Sequence, residues 1–270
     1  MSTAHRLIRL RPRSALALAV TSLLGLVAFG WPLFADAGSA VDTSHSADAP
    51  WLFVVLLPLL AAVILAELTE GGLDAKAVAV LGMLAAVGAA LRPLAPGAAG
   101  IDPSFVVIVL GGRIFGRGFG FVLGALTLFA SALITGGVGP WMPFQMFGAA
   151  WVGFFAGCLP SLRGRWEVWL VAGYGFVASV GYGALLNMWF WPFGAYGPEV
   201  SYVAGATLLE NGYRYGAFWL TTSLGWDVSR GVLISTLVLL AGHPVMSALR
   251  RTARRAAFDV PTEFGVGSSR

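Results

Sequence analysis

The chain has 270 residues, of which 57% are Ala, Val, Ile, Leu, Met, Phe, Trp, Tyr or Cys and only 11% are charged, and its mean hydropathy is +0.79. A soluble domain carries about 25% charged residues, and a globule of this size could not hide so much apolar surface. The balance excludes an ordinary cytosolic enzyme, a disordered chain and a disulfide scaffold, since Cys158 is the only cysteine. It also excludes a nucleic-acid binder, despite the net charge of +4.

A membrane-crossing helix needs about 17–25 mostly apolar residues. In chain order, segments 14–34, 51–67, 76–92, 103–116, 119–136, 144–160, 167–190 and 228–248 are predicted as spans. The expected fold is an all-α integral membrane protein of about eight helices with both termini cytoplasmic. The fourth segment is short and is bracketed by Gly-rich turns. With the N-terminus inside, fourteen of the 17 Lys and Arg fall on cytoplasmic segments, leaving Arg92, Arg214 and Arg230 outside. That alternation obeys the positive-inside rule. The first span has a rival reading, because its basic start and the triplet Ala35-Asp36-Ala37 resemble a secretory signal peptide. Its apolar stretch of about 20 residues is longer than the ~7–15 usual for such a signal, which favours a retained helix.

Three regions are expected: a basic N-terminus with a two-helix hairpin (1–70), a six-helix unit (71–255) and a cytoplasmic tail (256–270). The loop at 35–50 is acidic and free of Lys and Arg, which suits an outer linker. The run Arg250-Arg251-Thr252-Ala253-Arg254-Arg255 suits topology anchoring and contact with anionic lipid. The longest loop, 191–227, is rich in Trp, Tyr and Phe. That composition is wrong for disorder, so the loop is expected to fold as a lid or as a helix at the outer interface.

Familiar catalytic patterns are missing. There is no phosphate-binding GxxxxGK[ST] loop, no HExxH and no GxSxG, and the three histidines lie far apart at 5, 45 and 243. No catalytic residue, metal site or cofactor is implied. The six-span unit also lacks a midplane acid of the sort that drives proton or sodium pumps. A protein of this kind binds something and draws its energy from a partner.

Candidate ligand residues gather at the predicted outer face. Trp141 and Gln145 follow the turn Gly136-Gly137-Val138-Gly139-Pro140, where an indole and an amide can stack on a ligand and hydrogen-bond it. Interfacial anchoring and a helix–helix hydrogen bond are their structural alternatives. Asn187, Trp189 and Trp191 close the seventh span, and Trp226 precedes the eighth. Asp227 and Arg230, three apart, suit either a helix cap with an ion pair or a charged rim that orients a polar ligand. Arg92 is either a snorkelling anchor or a contact to an anion.

The stretch GGRIFGRGFGF, then GALTLFASAL, then TGGVGPWMPFQM, then a Gly/Ala-rich helix resembles the S component of energy-coupling factor (ECF) transporters. The resemblance covers about 76–255, and the GPWMPFQM stretch is similar to a subset that includes cobalamin-type S components. It implies a six-helix core that captures a vitamin or related micronutrient in a bacterial cell membrane. It also implies partners: a membrane-embedded T subunit and two cytoplasmic ATPases. In that family the first core helix docks on the T subunit through small residues four apart, which here implies Ala75, Ala79, Gly82 and Ala86, continuing to Ala90. The hairpin at 14–67 departs from the six-helix pattern, as an added anchor or an extra partner surface. Two other classes stay open: a membrane-embedded enzyme acting on a lipid, and a structural membrane protein.

Overall fold

The computed structural model describes residues 12–33, 75–94, 100–139, 141–194 and 196–257. These residues form helices and turns, with no strand among them. An apolar medium offers no partner for exposed backbone polar groups, so the chain satisfies them within helices. The helices are α1 (Pro12–Gly30), α2 (Ala75–Leu91), α3 (Ser104–Phe115), α4 (Arg117–Thr135), α5 (Met142–Cys158), α6 (Arg165–Phe190), α7 (Leu208–Thr222) and α8 (Leu224–Ala257).

Four helical stretches are long and apolar enough to cross a bilayer: Ala75–Leu94, Arg117–Thr135, Arg165–Phe193 and Leu224–Arg254. Eight crossings are therefore not what the described residues show. The expected span at 51–67, the linker at 35–50 and the tail beyond 257 lie outside the described residues. With a rise of about 1.5 Å per residue, the 12 residues of α3 reach only about 18 Å, short of a hydrocarbon core of about 30 Å. The last helix is longer than the expected 228–248, starting at Leu224 and running to Ala257 without ending at Pro244.

Helices α2 to α6 and α8 alternate in direction. Arg92, Asp102, Thr135, Gln145, Asn187 and Asp227 meet at one end of the bundle. Arg113, Glu167 and Arg250 meet at the other. The helix ends expected to share a side thus lie together.

The centre of the packing is the contact of α4 with α5, joined by α3. A Cβ on Gly120 or on Gly112 would strike the carbonyl of Gly153, and one on Gly153 would strike that of Gly120. Gly124 lies as tightly against Ala149. Small residues let these backbones touch, which is how helices associate where lipid removes the hydrophobic drive. Around this contact lie Phe105, Phe115, Phe119, Phe121, Phe144 and Phe147, all fully buried. The one-residue link between α3 and α4 is Gly116, whose φ of 99° suits a residue without a Cβ.

Helix α1 packs on the α5–α6 side of the bundle. Phe29 is buried edge-on against Phe144 (4.9 Å) and leans on Trp151 (6.0 Å), whose indole N–H donates to the Ser22 hydroxyl at 3.0 Å. Its other face shows Leu16, Val20, Leu23, Leu26 and Val27. So α1 is part of the bundle, with one side turned to lipid.

An ion cluster around the buried Glu167 closes the end opposite the cavity. Glu167 receives Arg113 Nε at 2.8 Å and Arg250 Nη2 at 2.6 Å, tying α3, α6 and α8 together. Arg113 also donates to the Leu159 carbonyl at 2.8 Å.

Overpacking of this sort is destabilising by about 1–3 kcal/mol. Gly153→Ala is expected to lower the Tm of the detergent-purified chain accordingly. Gly82→Ala, where an added Cβ meets nothing within 4 Å, is expected to leave it unchanged or slightly raised. Differential scanning fluorimetry of both variants checks the contrast.

Candidate ligand-binding site

Where the six alternating helices end together, they leave a cavity of about 540 Å³. Its wall comes from the ends of α2, α4 and α6, the starts of α5 and α8, and the segment 100–102. Two ion pairs face it. Arg92 Nε stands 3.5 Å from Asp102 Oδ2, and its Nη2 donates to Gln145 Oε1 at 3.3 Å. Arg230 Nη2 donates to Asp227 Oδ1 at 3.2 Å, and its Nη1 to the Ser179 carbonyl at 3.1 Å. The Arg230 guanidinium also lies over the rings of Tyr182 (5.3 Å) and Phe105 (5.8 Å).

Both carboxylates are engaged. Asp102 Oδ1 accepts from the Ser104 amide (3.1 Å) and hydroxyl (2.5 Å) at the start of α3. Asp227 Oδ2 accepts from the Trp219 indole at 2.9 Å. Asp227 sits in the first turn of α8 rather than capping it, and it is buried against Gly183, where a Cβ would overlap its carboxylate. The amide of Asn187 is different. It lines the cavity, its residue is 6% exposed, and its Nδ2 has no hydrogen-bond partner.

Of the nine expected ligand residues, Arg92, Gln145, Asn187, Trp226, Asp227 and Arg230 line this cavity. Trp141, Trp189 and Trp191 do not. Trp141 donates to the Gly137 carbonyl at 3.3 Å and meets Trp189 edge-on at 6.3 Å. Trp189 leans on Phe144 at 5.9 Å, so these two indoles form an aromatic shelf beside the cavity. Trp191 is fully buried and donates to the Val200 carbonyl at 2.7 Å. Tyr202 and Tyr215 stand edge-on to its ring. An indole so enclosed fixes a loop and cannot stack on a ligand.

That loop is the 191–227 segment, and its helical part is α7. Thr207 caps the helix by accepting from the Glu210 amide at 3.2 Å. Arg214 bonds Glu210 at 3.0 Å, while Asn211 pairs with both the N–H and the carbonyl of Val203 at 3.2 and 2.9 Å. The Tyr215 hydroxyl donates to the Ala184 carbonyl. Burial, and after it the Asp227 carboxylate, raises the Tyr215 pKa above its ordinary value, so the phenol stays a neutral donor. The expectation of a lid or interface helix thus becomes an ordered cap, joined to α8 through Ser223 and to the cavity through Trp219 and Asp227.

Residue-by-residue reading missed Asp102, Tyr182, Thr135 and Ser223, which also line the cavity. Asp102 carried a signal: it is an acid two residues before a Ser at a helix start, in a stretch otherwise without charge. Tyr182, between two glycines in the middle of an apolar run, carried none.

Truncating an enclosed aromatic costs about 3–5 kcal/mol. Trp191→Ala is therefore expected to loosen the cap and to open 194–207 to limited proteolysis. Trp141→Ala is expected to change ligand affinity by no more than about twofold, as for a substitution outside the site. Protease mapping and isothermal titration read the two results.

Residues 76–242 match the family model described as ECF transporter, substrate-specific component. No curated protein and no solved structure matches the chain. The match spans more than half of the chain and takes in the helices from α2 through most of α8, whose ends build the cavity. A multi-pass helical bundle, a cavity at one end and this match agree: the chain belongs to the substrate-specific components of ECF transporters.

Proposed function

We propose that the chain is the subunit that captures a vitamin or related micronutrient for an ECF-type ABC importer, and that the cavity at the ends of α2 to α6 and α8 holds it. The observation that carries this reading is the cavity itself, whose mostly apolar wall carries two arginines, two aspartates and a buried amide donor without a partner. Its volume falls within the roughly 300–1,000 Å³ of small-molecule sites. The cavity end faces outward and both termini face the cytoplasm of a bacterial cell. The sorting of charge supports that orientation, since most Lys and Arg among the described residues lie toward the other end.

Energy comes from partners, a T subunit and two cytoplasmic ATPases, because the chain has no phosphate-binding loop of its own. Ala75, Ala79, Gly82, Ala86 and Ala90 form the docking face for the T subunit. All five are exposed, on the side of α2 away from its buried Ala77, Leu81, Ala85 and Ala89. Helix α1 lies on the α5–α6 side of the bundle and leaves that stripe open among the described residues. Release follows when the partner reorients the whole core as a rigid body.

For the ligand, a cobalamin-like corrinoid is the expectation from resemblance. A cavity of about 540 Å³ fits a smaller vitamin or a nucleobase-derived precursor better, and a corrinoid would need the cap to move aside. A lipid-modifying enzyme draws no support from the cavity, since both of its carboxylates are already tied by hydrogen bonds and cations.

Ala79→Trp places a bulky ring on the stripe and is expected to abolish co-purification of a T subunit. Ligand binding by the purified chain should remain. Complex formation as in the parent protein would reject this docking face.

A further inference from the structure

Charge is divided unevenly between the two ends of the bundle. Among the described residues, Asp102, Asp227, Glu199 and Glu210 belong to the cavity and its cap, and Glu167 is the only carboxylate at the other end. Two arginines share Glu167, so their cluster keeps one positive charge. Arg113 is buried there, whereas the Arg250 side chain is 42% exposed, and the excess charge reaches the surface through it. Arg163, Arg165, Arg251 and Arg254 are exposed beside these residues in the chain. None of the four pairs with a carboxylate among the described residues.

The exposed face of α6 leads to this charge in a set order. From the middle of the helix outward it shows Val177, Gly173, Trp169, Trp166 and Arg165. A Cβ on Gly173 would meet nothing within 4 Å, so the surface there is open. The Arg165 guanidinium lies over the Trp166 ring at 5.3 Å. Apolar surface, then indole, then guanidinium matches the acyl chain, glycerol esters and phosphate of a phospholipid, since Trp favours the headgroup level and Arg the charged surface. Arg165 also shares a helix edge with Ala172 and Gly183, about two and five turns further on. That edge packs on α8: the Ala172 carbonyl accepts from Ser235 at 2.9 Å, and Gly183 abuts Asp227. Arg250 of α8 reaches Glu167 in the first turn of α6, and α8 continues to Ala257. The two helices therefore bring Arg165 and Arg250 to one junction.

We propose that this junction holds an anionic phospholipid of the surrounding leaflet. Arg165 and Arg250 flank its phosphate, Trp166 and Trp169 lie along its glycerol esters, and an acyl chain runs over Gly173 and Val177. The basic run at 250–255 alone is a general anchor, and the α6 face adds the contact that recognises a lipid. A zwitterionic phospholipid carries its own cation into a group of arginines whose one carboxylate is already shared, so it is held more weakly. The anionic lipid supplies the charge that the Glu167 cluster lacks and so steadies the tie between α3, α6 and α8. The proposal needs only that the chain spans a bilayer, and it is independent of what the cavity binds.

The test uses the full-length chain purified in a neutral detergent. Native mass spectrometry counts retained lipid, and scanning fluorimetry reads the Tm. Phosphatidylglycerol is expected to be retained and to raise the Tm. Phosphatidylcholine with the same acyl chains and inorganic phosphate are expected to do so far less. Arg165→Gln should weaken retention of phosphatidylglycerol about fivefold, the effect of one basic side chain at an anionic membrane surface. Trp166→Leu combined with Trp169→Leu should weaken it as well. Arg214→Gln removes an equal charge from the cap and should leave retention unchanged, which separates a site from bulk charge attraction. Equal retention of the two lipids overturns the proposal, as does equal weakening by Arg165→Gln and Arg214→Gln. A Tm rise with inorganic phosphate as large as that with phosphatidylglycerol overturns it too, and so does a chain that retains no phosphatidylglycerol.

Discussion

The structure depends on backbones allowed to touch. At Gly112, Gly120 and Gly153, three helices meet with no side chain between them. In lipid there is little hydrophobic gain from bringing helices together, so close van der Waals contact has to hold them. The contact fixes α3, α4 and α5 as one rigid unit. The other core helices are built onto that unit: α2 lies against α4, and α6 against α5 and α8. Because α3 is short, the bundle is filled at the Glu167 end and hollow at the other, where the cavity lies.

The two ends of the bundle are built by opposite rules. At one end a single carboxylate, Glu167, is shared by two arginines, and three helices are tied through it. At the other, each arginine has its own carboxylate, and the pairs stand around an open space. A shared carboxylate locks, whereas separate pairs leave room and unused donors. Asp227 also reaches beyond the site, since it holds the indole of Trp219 on α7. The cap and the site wall therefore share one anchor, so that a change in the position of Asp227 is felt by both.

Much of this was legible in the sequence. Hydropathy located α1 to α6 to within a few residues, whereas α8 begins before and runs well past the expected 228–248, and the expected 51–67 span lies outside the described residues. The small residues of α2, singled out by the resemblance rather than by their spacing, fall on its exposed side. Polar groups at the helix ends were good guides: Arg92, Gln145, Asn187, Asp227 and Arg230 all reach the cavity. Tryptophan was a poor one. An indole reads the same in sequence whether it anchors at an interface, stacks on a ligand or plugs a loop, and only packing separates Trp226 at the cavity from Trp191 beneath the cap. The cap helix did carry a local signal in Thr207 and Glu210, spaced as a helix-start pair. Asp102 and Tyr182 depend on the meeting of distant segments, which no local pattern encodes.

Transport by the protein reconstituted alone tests most directly whether the chain is a receptor whose energy lies elsewhere. In proteoliposomes holding only this chain, a labelled nutrient is expected to bind to a plateau of about one molecule per chain and not to accumulate. Addition of the T subunit, the two ATPases and internal ATP should convert the plateau to continued uptake. Sustained accumulation by the chain alone, or chemical turnover of the nutrient or of lipid, would contradict the account.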